Sequence, residues 1–230
     1  MTASRDSRGR GSGAAGRGPR TGTPSPAGRP RRPGARGATD DRGRATPELL
    51  RALRLFVFDV DGVLTDGAIY LGPGDLELKR FAVEDGTAFK LLEGLGRELA
   101  IVSGRRSAVV VKRARELGVR HVFQGVGDKE RCIADLCRRR GLALERVFFQ
   151  GDDLIDLPAL RRVGCPVAPA NAPAEVRAAA LFVTPRAGGE GAVRDAVEWA
   201  LRGAGLYDRA VQAYARDKRK GPRGRTPQRR

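Results

Sequence analysis

The sequence predicts an α/β protein, a Rossmann-like parallel sheet with helices on both faces. Three observations predict it. Short apolar runs alternate with helix-like stretches of about ten residues through 46–202. Glycines close two of those stretches, Gly118 and Gly141. Polar clusters rich in acids follow the apolar runs, where open parallel sheets bind their ligands.

The elements follow in chain order. Leu53 to Asp59 is an apolar run ending in acids, the pattern of a buried parallel strand. Ala68–Leu71 and Leu76–Val83 read as extended, and Gly72-Pro73-Gly74-Asp75 between them marks a β-hairpin. Asp85 is the expected N-cap of a helix over Gly86–Gly94. Leu99–Val102 is a strand, Ser107–Leu117 a helix, Val119–Phe123 a strand and Lys129–Arg140 a helix. Val147–Phe149 is a strand, followed by a helix around Asp156–Val163. Pro166–Ala168 and Leu181–Val183 are short strands, and Ala192–Leu201 is a last amphipathic helix.

Charge divides the chain into three. The 230 residues carry a net charge of +17. Residues 1–45 contribute +8 and residues 203–230 contribute +7, leaving +2 on 46–202. The first segment is Arg, Gly and Pro with almost no large apolar residue. It cannot bury enough surface to offset chain entropy, so it is expected to be disordered. The basic extension 203–230 is expected to be largely disordered too. The core domain is 46–202.

Composition narrows the function. No apolar run is long enough for a membrane span or a secretory signal. The three cysteines, Cys132, Cys137 and Cys165, form no C-x-x-C pair and suit buried thiols in a reducing, cytoplasmic compartment. The one histidine, His121, lies beside the apolar pair Val122-Phe123 and reads as a strand residue. Chemistry must then run on carboxylates.

Four clusters fall at strand ends or helix starts: Asp59-x-Asp61-Gly62, Ser103-Gly104-Arg105, Gly127-Asp128-Lys129 and Gly151-Asp152-Asp153-x-x-Asp156. Any one alone is commonly a helix cap; their coincidence is the signal. Asp59, Asp61 and Asp152 gather negative charge that a buried site tolerates only beside a cation. All-oxygen ligation suits Mg²⁺. A carboxylate can also act as a nucleophile and form an aspartyl-phosphate. Ser103, the backbone near Gly104 and Lys129 can hold a phosphoryl group.

The motifs D-V-D-G-V-L-T-D-G, V-S-G-R, G-D-K and G-D-D-L-I-D resemble those of the haloacid dehalogenase superfamily. The hairpin directly after the first motif, the following E-D-G and the late A-G-G-E-G-A-V-R-D look like the 3-deoxy-D-manno-octulosonate 8-phosphate phosphatase family. The resemblance covers about 52–202. It implies Asp59 as nucleophile and Asp61 as general acid and then base. It implies Mg²⁺ on Asp59, Asp152 and the Asp61 backbone carbonyl, with Asp153 and Asp156 in support. Ser103, Gly104 and Lys129 would bind phosphate, and Arg105, Arg186 and Arg194 are candidate substrate contacts. It also implies no cap domain, a hairpin flap after the first strand, and a homotetramer joined through the hairpins. The family often has D-G-x-G-I where this chain has Asp85-Gly86-Thr87-Ala88-Phe89, and Glu84 stands where some members have Arg. That departure leaves nonulosonate 9-phosphates as competing substrates.

Two readings of other classes compete. The basic tails could bind nucleic acid around a silent core, but they interleave no aromatic residues in the N-terminal tail, and the core is nearly neutral. A receiver-type signalling domain also uses a strand-end Asp, Mg²⁺, a Ser or Thr and a Lys. The second acid, Asp61, and the inserted hairpin oppose it.

Overall fold

The computed structural model describes residues 45–74 and 76–219. The N-terminal tail up to residue 44, the last eleven residues and Asp75 of the hairpin turn lie outside the described residues. The chain runs α1 (Pro47–Ala52), β1 (Leu55–Phe58), β2 (Tyr70–Leu71), β3 (Glu77–Leu78), α2 (Val83–Gly94), β4 (Glu98–Ser103), α3 (Ala108–Leu117) and β5 (His121–Gln124). It continues α4 (Lys129–Arg140), β6 (Val147–Gln150), a 3₁₀ turn at Leu154–Asp156, α5 (Leu157–Leu160), β7 (Cys165–Ala168), α6 (Ala174–Ala179), β8 (Phe182–Val183), α7 (Ala192–Gly203) and α8 (Tyr207–Arg219).

Six strands form one parallel sheet in the order β5-β4-β1-β6-β7-β8. β1 is central because both its faces are apolar. Leu55 and Val57 join Ala100, Val102, Ile133 and Phe149 on one side. Phe56 and Phe58 join Phe148, Phe89, Leu92 and Val197 on the other. The rings interlock, with Phe58 and Phe89 centroids 4.8 Å apart and Phe56 and Phe148 5.0 Å apart. From β1 the chain moves outward through β4 and β5, then returns to pair β6 on the other flank. That reversal opens a crevice at the carboxyl ends of β1 and β6, where such sheets bind ligands.

Local signals explain the helix ends. Ser107 and Asp128 cap α3 and α4, accepting from the backbone N–H groups of Val110 and Arg131. Gly118 and Gly141 close them in left-handed conformations, at φ 77° and 61°. The hairpin is shorter than its sequence pattern: two-residue strands, antiparallel, plus an isolated bridge between Thr65 and Phe81.

Two expectations need correction. Asp85 does not cap α2, which begins two residues earlier behind Ala82. Its Oδ1 instead accepts from the backbone N–H of Arg194, at 2.9 Å in the first turn of α7. The acid is thus a cap in trans, because the first turn of α2 faces the start of α7. The second correction concerns the C-terminal extension. It carries α8, held because Ala210 is buried and Leu206, Tyr207 and Tyr214 pack on the core. Its apolar residues recur at helical spacing among the charges, so net charge alone misleads.

Asp85 has a measurable consequence. It is 2% exposed, and its Oδ2 has no hydrogen-bond partner. Burial pushes its carboxyl up to about 7; Glu84 and Asp195 add to this, while the Arg194 N–H and Arg186 oppose it. The unfolded chain releases that proton near the ordinary carboxylate value, about 4, so this group makes stability fall as pH rises from there to about 7. Asp85→Asn is expected to remove that slope. Relative to the variant, the parent should lose on the order of 2–4 kcal/mol between pH 4 and pH 8. Urea midpoints at several pH values check it; parallel profiles would contradict the assignment.

Candidate active site

The site begins where β1 stops. The Asp59 N–H donates to the Gln150 carbonyl at 3.0 Å, holding the chain against β6 for one more residue. A tight loop follows, in which Val63, Leu64 and Thr65 all donate backbone N–H groups to the Val60 carbonyl. Gly62 turns the loop at φ 84°, and a Cβ there would lie 2.0 Å from Asp152 Oδ2. The missing side chain therefore lets the Asp152 carboxylate, just past β6, rest on the loop after β1.

Lys129 ties these parts together. It is the first residue of α4, and its side chain is 2% exposed. Nζ lies 2.8 Å from Asp59 Oδ2 and 2.6 Å from Asp156 Oδ1. Burial works against the ammonium, but Asp59 and Asp156 more than offset it and raise its pKa. Asp156 Oδ2 accepts the backbone N–H groups of Asp152 and Asp153 at 3.0 and 3.3 Å. Asp153 caps the 3₁₀ turn, accepting from the Leu154 N–H at 2.7 Å.

Asp59, Asp152 and Asp156 each bring a carboxylate oxygen within 4.8 Å of the others. Hydrogen bonding separates their roles. Both Asp156 oxygens are already engaged by Lys129 and by backbone donors, so it is a scaffold. Asp152 Oδ1 is buried without a partner. Burial pushes the Asp59 carboxyl up to about 6 despite Lys129. Burial, then repulsion from Asp59 and Asp156, push Asp152 up to about 8. Two acids that resist ionising together, one with an orphaned oxygen, fit a hard divalent cation.

The remaining candidates divide. Ser103 is buried at the end of β4, its Oγ accepting from the Arg105 N–H at 3.2 Å, with Gly104 exposed beside it. The Asp61 carboxylate accepts from Lys79 of the hairpin and lies 4.0 Å from Arg105 Nε. Arg186 is held on two sides, by Glu84 at 2.6 Å and bidentately by Asp195. Arg194 is turned to Glu198 on its own helix. Only Arg105 of the three arginines has a contact with Asp59, Asp61 or Asp152.

Lys79, Glu77 and Asn171 also belong here, and the motif reading missed them. Asn171 donates to the Gly62 carbonyl at 3.1 Å and accepts from the Gly188 N–H at 2.8 Å. Gly188 touches the same loop, where a Cβ would sit 1.9 Å from the Gly62 carbonyl oxygen. The alternation of L-E-L-K-R-F could have placed Glu77 and Lys79 on one face. His121 lies in the edge strand β5, its Nε2 3.4 Å from Glu98, and the three cysteines are unpaired. Among the described residues no helix is long and apolar enough to cross a membrane.

Residues 121–196 match the haloacid dehalogenase-like hydrolase family model. The 3-deoxy-D-manno-octulosonate 8-phosphate phosphatase of Escherichia coli is 41% identical over 158 residues, which are 69% of this chain and 84% of that protein. The phosphatase of the same name from Moraxella catarrhalis, solved with magnesium, phosphate and the sugar acid, is similar at TM-score 0.70 and 36% identity. The match covers 73% of this chain and 97% of that one. A probable YrbI-family phosphatase from Pseudomonas syringae pv. phaseolica matches at TM-score 0.70 and 43% identity, covering 74% of this chain and 96% of that one.

Proposed function

The chain belongs to the 3-deoxy-D-manno-octulosonate 8-phosphate phosphatase family of haloacid dehalogenase-like hydrolases, a phosphoric monoester hydrolase; on that premise we propose that it cleaves 3-deoxy-D-manno-octulosonate 8-phosphate through an aspartyl-phosphate. The observation that carries this is the arrangement around Lys129. One buried ammonium fixes Asp59, and Asp152 offers an orphaned oxygen beside it.

Asp59 attacks phosphorus, and the bond from phosphorus to the sugar oxygen breaks. Asp61, two residues on, gives its carboxyl proton to the departing alkoxide. Asp61 then takes a proton from water as the water oxygen attacks the same phosphorus. The acyl–phosphate bond breaks, and Asp59 and inorganic phosphate are released. Lys129 and Ser103 hold the phosphoryl oxygens, with the backbone at Gly104. Mg²⁺, carried by Asp59, Asp152 and the Asp61 backbone carbonyl, supplies charge neutralisation for the acids and the phosphoryl group. Asp153 and Asp156 hold the Asp152 loop, and Arg105 lies beside Asp61 for contact with an acidic sugar. We place the reaction in the cytoplasm, in keeping with three unpaired thiols.

Phosphate release from octulosonate 8-phosphate, nonulosonate 9-phosphates and small sugar phosphates, with Mg²⁺ and with chelator, tests the reading. The eight-carbon acid should have the highest kcat/KM, and chelator should abolish turnover. Preference for a nine-carbon acid would move the substrate assignment. Mg²⁺-independent turnover would overturn the mechanism.

The assembly is proposed as a homotetramer joined by the hairpins. Ile69, Tyr70, Leu71, Leu76 and Leu78 stand exposed there, Leu71 by 77%. Two-residue strands with such a face gain stability by being covered. Light scattering is expected to give four chains per particle, and Leu71→Asp with Leu78→Asp a smaller one. A fully active monomer would remove the proposal.

A further inference from the structure

We infer that Lys79 is a positioning residue for Asp61: strand β3 lays its ammonium on the carboxylate that handles the leaving-group proton. The inference rests on the role proposed above for Asp61. Around β3 the side chains alternate. Leu76, Leu78 and Arg80 are exposed, whereas Glu77, Lys79 and Phe81 turn inward. The hairpin that offers apolar residues outward thus offers an ion pair inward.

The Lys79 side chain is 0% exposed, which is unusual for a lysine and requires paired charges. It has two carboxylates. Nζ hydrogen-bonds Asp61 Oδ1 and lies 3.4 Å from Glu77 Oε1. Glu77 Oε1 is buried without an aligned hydrogen bond and is 3.9 Å from Arg105 Nη2. Contact with the Ser107 hydroxyl, then Lys79 and Arg105, outweigh burial and hold the Glu77 carboxyl below its ordinary range. Glu77 therefore stays ionised and anchors the ammonium from behind.

Asp61 needs such a partner. It stands in the loop after β1, and its side chain is 22% exposed. Among the described residues, the bond from Lys79 is the only hydrogen bond that its carboxylate accepts. A short acid free to rotate spends much of its time out of line with the leaving oxygen. A fixed ammonium on Oδ1 selects one rotamer and leaves Oδ2 to carry the proton towards the leaving oxygen. Lys79 itself touches no phosphoryl group in this scheme, so its loss should harm proton delivery rather than binding.

That difference can be read from leaving groups. A p-nitrophenolate departs readily without a proton, whereas a phenolate depends on one. Phenyl phosphates vary the leaving group without a sugar carboxylate. In Lys79→Met, kcat/KM for phenyl phosphate is expected to fall about 10- to 100-fold. For p-nitrophenyl phosphate it should fall less than about 3-fold. Lys79→Arg should restore part of the phenyl phosphate rate. Equal losses on both substrates, or none, would overturn the inference. If Lys79→Met does not fold, Lys79→Gln carries the same test by the same ratio. Asp61→Asn run alongside separates the two levels. If Asp61→Asn fails to steepen the leaving-group dependence, the role of Asp61 is wrong. If it does so and the Lys79 variants do not, only the positioning role falls.

Discussion

Asp59→Asn is expected to lose at least about 10,000-fold in turnover while its metal-free fold stays as stable as the parent. The two halves have different causes. An amide does not attack phosphorus, so the covalent route closes, and no neighbouring carboxylate can replace it. Asp156 has both oxygens engaged, and burial with repulsion from its neighbours pushes Asp152 up to about 8, so it is the poorer nucleophile of the pair. Stability follows from charge. Burial pushes the Asp59 carboxyl up to about 6, so the native state already resists that charge. Removing it eases Asp152, which Asp59 helps push up to about 8. Lys129 loses one partner but keeps Asp156 at 2.6 Å. Mg²⁺ should raise the parent's melting temperature and raise that of Asp59→Asn much less, because a bound ion stabilises only the state that holds it. Calorimetry with and without Mg²⁺, beside phosphate release, reads both. Residual turnover above about one per cent of the parent would sink the nucleophile assignment.

Much of this was legible in the sequence because the signals are local. Asp59, Ser103 and Asp152 each follow a short apolar run, and runs of that length between helices form a parallel sheet. The sheet then carries the residues after the strands to one edge, whatever their distance in sequence. The ends of α3 and α4 were legible for the same reason, since Ser107, Asp128, Gly118 and Gly141 act within their own turns. Long-range contacts were not. Asp85 looked like a cap for its own helix and caps one 109 residues away. Asp156 was expected in a supporting role, but what it supports is visible only in its three donors, the Lys129 ammonium and the Asp152 and Asp153 amides. Lys79 lies in a hairpin whose strands are too short to announce which face turns inward. Side-chain reach across elements is set by packing, and a one-dimensional pattern does not encode it.

Lys129→Met is expected to damage fold and chemistry together, unlike Asp59→Asn. The ammonium is 2% exposed and compensates two buried carboxylates, Asp59 at 2.8 Å and Asp156 at 2.6 Å. Deleting it leaves both acids uncompensated, a defect that costs about 3–5 kcal/mol. The damage spreads through Asp156, whose other oxygen holds the Asp152 and Asp153 amides. The Asp152 carboxylate should then lose its place over Gly62, and metal affinity should weaken. Lys129→Arg separates charge from geometry. It should regain part of the stability, since charge returns, but little turnover, since a planar fork cannot place one point charge between two acids. Urea midpoints for both variants, with and without Mg²⁺, check the order parent, Arg, Met. Mg²⁺ should rescue the methionine variant only in part, because an ion returns positive charge but not the tie that holds Lys129 Nζ between Asp59 and Asp156 Oδ1. A methionine variant as stable as the parent would mean that the two acids do not depend on the ammonium for stability, and Lys129 would then matter only for the phosphoryl group.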